Sequence, residues 1–179
     1  MASDETLVRQ IRDGDLDAFD ALYRRYSQRL YSYILRLVRD QALTEDLLQE
    51  VLLTVLHDRS FDLSSGRFGG WLFTVARNRC TSELRKRPHR DQELDDLAVE
   101  PDPAPSPEQH AARRQQVARV RRVMQRLPEG QRDALLLKQV GELSYAEIAR
   151  IQQVPEGTVK SRMHLAIRAL QRLLLEGQS

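Results

Sequence analysis

Near the end of the chain, Glu156, Thr158, Lys160, Ser161, Arg162, His164 and Arg168 follow Pro155 at spacings that give a helix a polar, mostly basic outward face. A helix of this kind fits a DNA major groove, where short side chains reach base edges and Arg or Lys neutralises phosphates. The plainer reading is a solvated face on an ordinary bundle. Two neighbours weigh against it. Ser144-Tyr145-Ala146-Glu147 has the form of a capping box, in which Ser144 accepts from the amide of Glu147 and Glu147 reaches back. The segment 111–179 also holds 13 basic against 6 acidic residues. Two helices, a tight turn and a basic face together make a helix-turn-helix.

A second cluster runs from Arg77 to Arg87, with five basic groups and one acidic group. It follows a stretch containing Phe61, Phe68, Trp71 and Phe73. Cations that track a backbone beside aromatic rings can hold single-stranded nucleic acid. The alternative is that the aromatics are core and the cations complement a helix C-terminus; for Trp71 alone the core reading is preferred. A third group, Asp46, Gln49 and Glu50, stands at i, i+3 and i+4 on one face, a spacing suited to a polar protein interface. Spacing alone favours a plain solvated face there.

Signals for an enzyme are missing. His57, His89, His110 and His164 are scattered, with no i, i+4 pair and no adjacent nucleophile. Gly69-Gly70 lacks the flanks of a phosphate loop. Cys80, the one cysteine, can form neither an internal disulfide nor a cysteine zinc site and reads as a small core residue. No catalytic residue, metal or cofactor is therefore expected.

The elements that must position these groups read as helices. The chain has 179 residues and a net charge of +2, with 28 basic and 26 acidic residues. The charges are segregated: 14 basic and 13 acidic in 1–87, 1 and 7 in 88–110, and the basic excess thereafter. The longest uncharged run, Phe68 to Ala76, is too short to span a membrane, and the acidic Met1-Ala2-Ser3-Asp4-Glu5 lacks the order of a secretion signal. From a cap at Asp15, the residues Leu16, Phe19, Leu22, Tyr23, Tyr26, Leu30, Ile34 and Leu37 trace one long helix. Thr44 is expected to cap a second, with Leu47, Leu48, Val51, Leu52, Val55 and Leu56 inward. A loop covers Arg59 to Gly70, and a third helix from about Gly70 to Arg87 carries Trp71, Leu72, Val75, Cys80 and Leu84 as apolar positions. Pro88 stops it. Five of the seven prolines share 88–110 with the acidic excess, a composition that predicts an extended linker. Beyond it come a basic helix with Val117, Val120, Met124 and Leu127, a short one through Ala134 to Leu137, the capping-box helix ending near Arg150 or Ile151, and a last helix to about Leu175. Pro155 falls in its first turn, and Val159, Met163, Ala166, Ile167, Leu170 and Leu174 point inward. The expected fold is all-α, with two small helical domains, 1–88 and 113–179, joined by a flexible acidic, proline-rich linker at 89–112.

The motifs resemble those of the extracytoplasmic-function group of the sigma-70 family of bacterial RNA polymerase sigma factors. The resemblance rests on Asp17-Ala18-Phe19-Asp20-Ala21-Leu22-Tyr23-Arg24-Arg25-Tyr26, Glu45-Asp46-Leu47-Leu48-Gln49-Glu50 and Trp71-Leu72-Phe73-Thr74-Val75-Ala76-Arg77-Asn78, then Leu143-Ser144-Tyr145-Ala146-Glu147-Ile148-Ala149 and Val154-Pro155-Glu156-Gly157-Thr158-Val159-Lys160-Ser161-Arg162. It implies a cytoplasmic, non-enzymatic initiation factor that binds core RNA polymerase, directs it to promoters and assists melting. Asp46, Gln49 and Glu50 would contact the polymerase core. Phe61, Asn78, Ser82 and Arg85 would read the -10 element, capturing flipped bases, and Thr158, Lys160, Ser161, Arg162 and His164 would read the -35 element. The linker would thread through the polymerase interior, and an anti-sigma factor is an expected partner. Because the chain ends soon after its last helix, no appended C-terminal sensing domain is expected. The sequence departs from the family at Gln152-Gln153, where Leu-Gly is usual, at Leu165, often Arg, and at Ser82, often Asp. The alternatives are a helix-turn-helix regulator that never joins polymerase, against which the Asp46/Gln49/Glu50 face stands, and a protein-interaction adaptor, which leaves the paired basic surfaces unexplained.

Overall fold

The structure is a computed structural model that describes residues 2–86 and 118–176, with side chains to residue 172. The expected linker, the stop at Pro88 and the side chains of Val117 and Leu174 lie outside the described residues. Eight helices and no strand occur among those residues.

Helix α1 (Asp4–Arg12) has no counterpart in the sequence expectation. Ser3 caps it by accepting from the Thr6 amide, and Leu7, Val8 and Ile11 are buried. Arg12 at its end donates to the Phe61 carbonyl at 2.8 Å, tying α1 to the loop before α4.

Helix α2 (Leu16–Val38) starts at the expected cap, where Asp15 Oδ1 accepts from the amides of Asp17 and Ala18. Its buried row is Ala18, Leu22, Tyr26, Leu30, Tyr33 and Ile34. Leu16 is 75% exposed and Tyr23 44%, so neither belongs to the inner stripe; both lie off the i, i+4 row that starts at Ala18. Arg39 ends α2 in the left-handed region and Asp40 at once caps α3 (Gln41–His57), accepting from the Leu43 amide at 2.9 Å. Thr44 is therefore not the cap: it is fully buried inside α3, its hydroxyl donating to the Asp40 carbonyl. Leu56, 37% exposed, also falls outside the inner row.

Helix α4 (Phe68–Lys86) starts two residues before the expected position and takes Gly69 and Gly70 into its first turn. Glu147 of the second half packs there: a Cβ on Gly70 would stand 3.4 Å from the Glu147 carboxylate. Phe68, Leu72, Phe73, Ala76 and Cys80 are buried, whereas Leu84 is 44% exposed near the basic end.

In the second half, α5 (118–125) buries Val123 but leaves Val120 36% exposed. Helix α6 (Glu129–Gln139) follows Pro128, and α7 (Tyr145–Gln152) carries the expected capping box in full, with the Ser144 amide donating to Glu147 Oε2 at 2.8 Å. Helix α8 (Glu156–Glu176) begins one residue after Pro155, whose carbonyl accepts from Thr158. Val159, Met163 and Ala166 are buried and Leu170 packs against the core, but Ile167 is 43% exposed. Between α7 and α8, Gln153 takes φ 54°, the left-handed position glycine usually fills. A side chain there costs about 1 kcal/mol.

Burial sets an alkaline limit on this fold. Burial and, second, the Asp133 charge push the Cys80 thiol up to about 12, and burial first of all pushes the phenols of Tyr26 and Tyr33 above their ordinary value. A raised folded-state value contributes stability below the unfolded value and loses it as pH rises. Denaturant midpoints should thus be flat from neutral pH to about pH 9, the ordinary thiol range, and fall steadily toward pH 12. A midpoint that stays level across that interval contradicts this account.

Candidate nucleic-acid interface

Asp46, Gln49 and Glu50 are all exposed on α3, because Leu43, Leu47 and Val51 form its inner row. Glu50 accepts a hydrogen bond from Arg79 Nη1 of α4 at 2.6 Å, and the same guanidinium reaches Thr54 Oγ1 at 3.3 Å. With the two side chains 41% and 52% exposed, this pair is worth under about 1 kcal/mol. It fixes where the carboxylate sits without hiding it.

On α4, Asn78, Ser82 and Arg85 are exposed at i, i+4 and i+7, on the side away from buried Ala76 and Cys80. Phe61 does not join them. Its ring is 4% exposed and packs against Phe68 at 5.3 Å and half-buried Trp71 at 5.4 Å, so in this arrangement it seats the loop and offers no surface to a base. Asx turns stiffen the same loop, with Asp58 accepting from the Ser60 amide and Asp62 from the Ser64 amide. The Ser60 hydroxyl and then its amide hold the Asp58 carboxyl below the usual range, and the Ser64 amide and then its hydroxyl do the same for Asp62.

On α8, Lys160, Ser161 and His164 are exposed and Thr158 is half-buried. Lys160 stands 3.0 Å from Glu156, an exposed i, i+4 pair. Arg162 turns back into the domain, its Nη1 donating to Gln152 Oε1 at 2.6 Å.

The two halves also meet. Asp133 on α6, 3% exposed, accepts from the Tyr33 hydroxyl at 2.7 Å, Arg77 Nε at 2.8 Å and Gln152 Nε2 at 3.0 Å. Burial draws the Arg77 guanidinium down, but the hydrogen bond and charge of Asp133 outweigh that and hold it above its ordinary value. Arg29 crosses as well, donating Nε to the Val140 carbonyl at 3.2 Å and Nη2 to that of Gly141 at the end of α6. Buried apolar residues of both halves form one contiguous cluster. The only local sign of this contact is an acidic residue beside the apolar run Ala134 to Leu137; its partners lie 56 and 100 residues away.

Among the described residues, no helix is long and apolar enough to cross a membrane, and no group of three or more His, Cys, Asp or Glu could hold a metal ion.

Residues 22–90 match sigma-70 region 2, and residues 118–170 match sigma-70 region 4. The chain is 32% identical over 171 residues to the RNA polymerase sigma factor CarQ of Myxococcus xanthus, covering 94% of this chain and 96% of that one. It is 34% identical over 163 residues to the ECF RNA polymerase sigma factor RpoE of Cereibacter sphaeroides, covering 90% and 89%. Among solved structures, the sigma factor RpoE of Bartonella quintana, crystallised with the anti-sigma factor NepR, matches with a TM-score of 0.68 and 27% identity, covering 87% of this chain and 96% of that one. CnrH in its complex with the cytosolic domain of CnrY, with a TM-score of 0.74 and 22% identity over 99% of this chain, shares the fold. Two helical domains, one ending in a helix-turn-helix, and matches over nearly the whole length place this chain in the extracytoplasmic-function group of the sigma-70 family, whose members are non-enzymatic factors of transcription initiation.

Proposed function

We propose that the chain carries out promoter-specific initiation through three surfaces: Asp46, Gln49 and Glu50 on α3 dock on core polymerase, Asn78, Ser82 and Arg85 on α4 engage the opened -10 element, and α8 enters the major groove of the -35 element. The observation that carries this reading is the exposure of Asp46, Gln49 and Glu50, of Asn78, Ser82 and Arg85, and of Lys160, Ser161 and His164 on three separate helices, with Arg79 joining the docking face to α4. A regulator acting on duplex DNA alone needs α8 and has no use for the other two. The functional units are 1–88 and 113–179, with 89–112 as the tether. The cytoplasm is where polymerase and promoter are met. An anti-sigma partner is supported by the structural neighbour that was solved in the grip of one.

The closed arrangement is a resting form in this scheme. Elements named -10 and -35 lie about 25 base pairs apart, or ~85 Å at 3.4 Å per pair. Arg77, next to Asn78, is bound to Asp133, and Asp133 reaches α8 through Gln152 and Arg162 alone, a far shorter path. Reading both elements at once therefore requires the Tyr33, Arg77 and Arg29 contacts to part. Run-off transcription from a genomic fragment library, with purified core polymerase, tests the function: discrete transcripts that depend on this chain are expected. Their absence on every fragment sinks it.

A further inference from the structure

We propose that Arg162 is a positioning residue and no DNA contact, and that together with Gln152 it sets the pose of α8 in the -35 groove. The inference rests on the reading that α8 enters that groove. Gln152 Nε2 donates to the Gly130 carbonyl at 3.1 Å and to Asp133 Oδ2 at 3.0 Å. Only the NH2 end of the amide can serve two acceptors, so its orientation is fixed and Oε1 faces α8. Arg162 Nη1 fills that acceptor at 2.6 Å. The guanidinium lies on bare backbone at the start of α6: a Cβ on Gly130 would stand 2.9 Å from Arg162 Cζ and 3.1 Å from Nε. Helix α8 is thereby braced to the end of α7 and the first turn of α6 at one point. That point is adjacent to Ser161, and Thr158 and Lys160 lie within one turn of it. Were Arg162 to swing onto a phosphate, Gln152 Oε1 would lose its donor in a part-buried site. Gln152 occupies a position where the resemblance leads one to expect Leu, so the brace is a property of this chain.

A direct contact and a brace differ in salt dependence. A phosphate contact adds close to one unit to the slope of log K against log salt, whereas a brace adds none. A brace acts through the neighbouring base-facing side chains and so changes which bases are preferred. The experiment uses holoenzyme reconstituted from core polymerase and the full chain. Its probe is a duplex pool randomised over the -35 element of a promoter recovered by run-off transcription. Arg162→Ala, Gln152→Ala and the double variant are expected to alter -35 base preference alike, by about fivefold or more at the affected positions. Their salt slopes should equal that of the parent, and the double variant should be no worse than either single one. Lys160→Ala, by contrast, should flatten the slope by about one unit. Gly130→Ala keeps every hydrogen-bonding group but crowds the guanidinium, and is expected to shift base preference in the same sense even if Gln152→Ala folds poorly. A flatter slope for Arg162→Ala, or unchanged base preference in variants that remain folded, overturns the proposal. Failure of the parent holoenzyme to select any duplex overturns the proposed function itself, and is told apart because it appears without substitution.

Discussion

Glu50→Lys is expected to weaken association with core polymerase by about 30- to 1000-fold, the 2–4 kcal/mol that follows when a charge paired across an interface is reversed. The fold should hardly respond. Among the described residues the Glu50 carboxylate pairs with Arg79, in a half-exposed pair worth under about 1 kcal/mol, and its aliphatic stem stays on the outer side of α3. The new ammonium would face the Arg79 guanidinium, and both side chains have water to turn into. Affinity measured by fluorescence anisotropy against labelled core, beside a denaturation curve for each variant, separates the two effects. Core affinity within twofold of the parent removes Glu50 from the docking face. A collapse of the denaturation midpoint would show that the residue is structural.

Asp133→Ala should have the largest effect on stability, about 3 kcal/mol. Removing one member of a buried ionic cluster strands the others, and here Tyr33, fully buried, loses the acceptor of its hydroxyl. Arg77 loses its charge partner and Gln152 one of its acceptors. The side chain of Arg77 is 27% exposed, so water recovers part of the loss and the low end of the range applies. For a chain of this length such a change lowers Tm by roughly 6–12 °C. It should also divide the transition, because Asp133 supplies the charge on which the contact between the halves turns. Two calorimetric transitions are expected in the variant and one in the parent. A single transition at the parent Tm would mean that the apolar contact and the Arg29 bonds hold the halves together without Asp133.

Local pattern carried most of the secondary structure. Asp15, the Ser144/Glu147 box and Pro155 mark helix starts through hydrogen bonds made within three or four residues, and such bonds are legible in sequence. The misplaced cap at Thr44 has the same origin: Asp40 and Thr44 are both good capping types, and the choice fell to Asp40 because Thr44 was needed inside, where its hydroxyl bonds back to the Asp40 carbonyl. Stripe errors at Leu16, Tyr23, Leu84 and Ile167 arise because periodicity names a face without saying how wide the neighbour covering it is. Exposure of the candidate residues was legible where it follows from the opposite face being apolar, as for Asp46, Gln49 and Glu50 or Asn78, Ser82 and Arg85. The surroundings of Phe61 and Arg162 were not legible, because they are built by Trp71 and Phe68 in one case and by Gln152 and Gly130 in the other. The clasp around Asp133 was invisible for the same reason, since nothing in the local sequence links it to Tyr33 or Arg77.

Together with core polymerase, this chain is expected to open promoter DNA at the -10 element. Permanganate footprinting reads it directly, since unpaired thymines are oxidised and paired ones are protected. On a promoter recovered by run-off transcription, thymines of the -10 element should become reactive only when core and this chain are both present, and should remain protected with the Glu50→Lys variant. Reactivity produced by the chain without core, or continued protection when both are present and bound, would contradict the account.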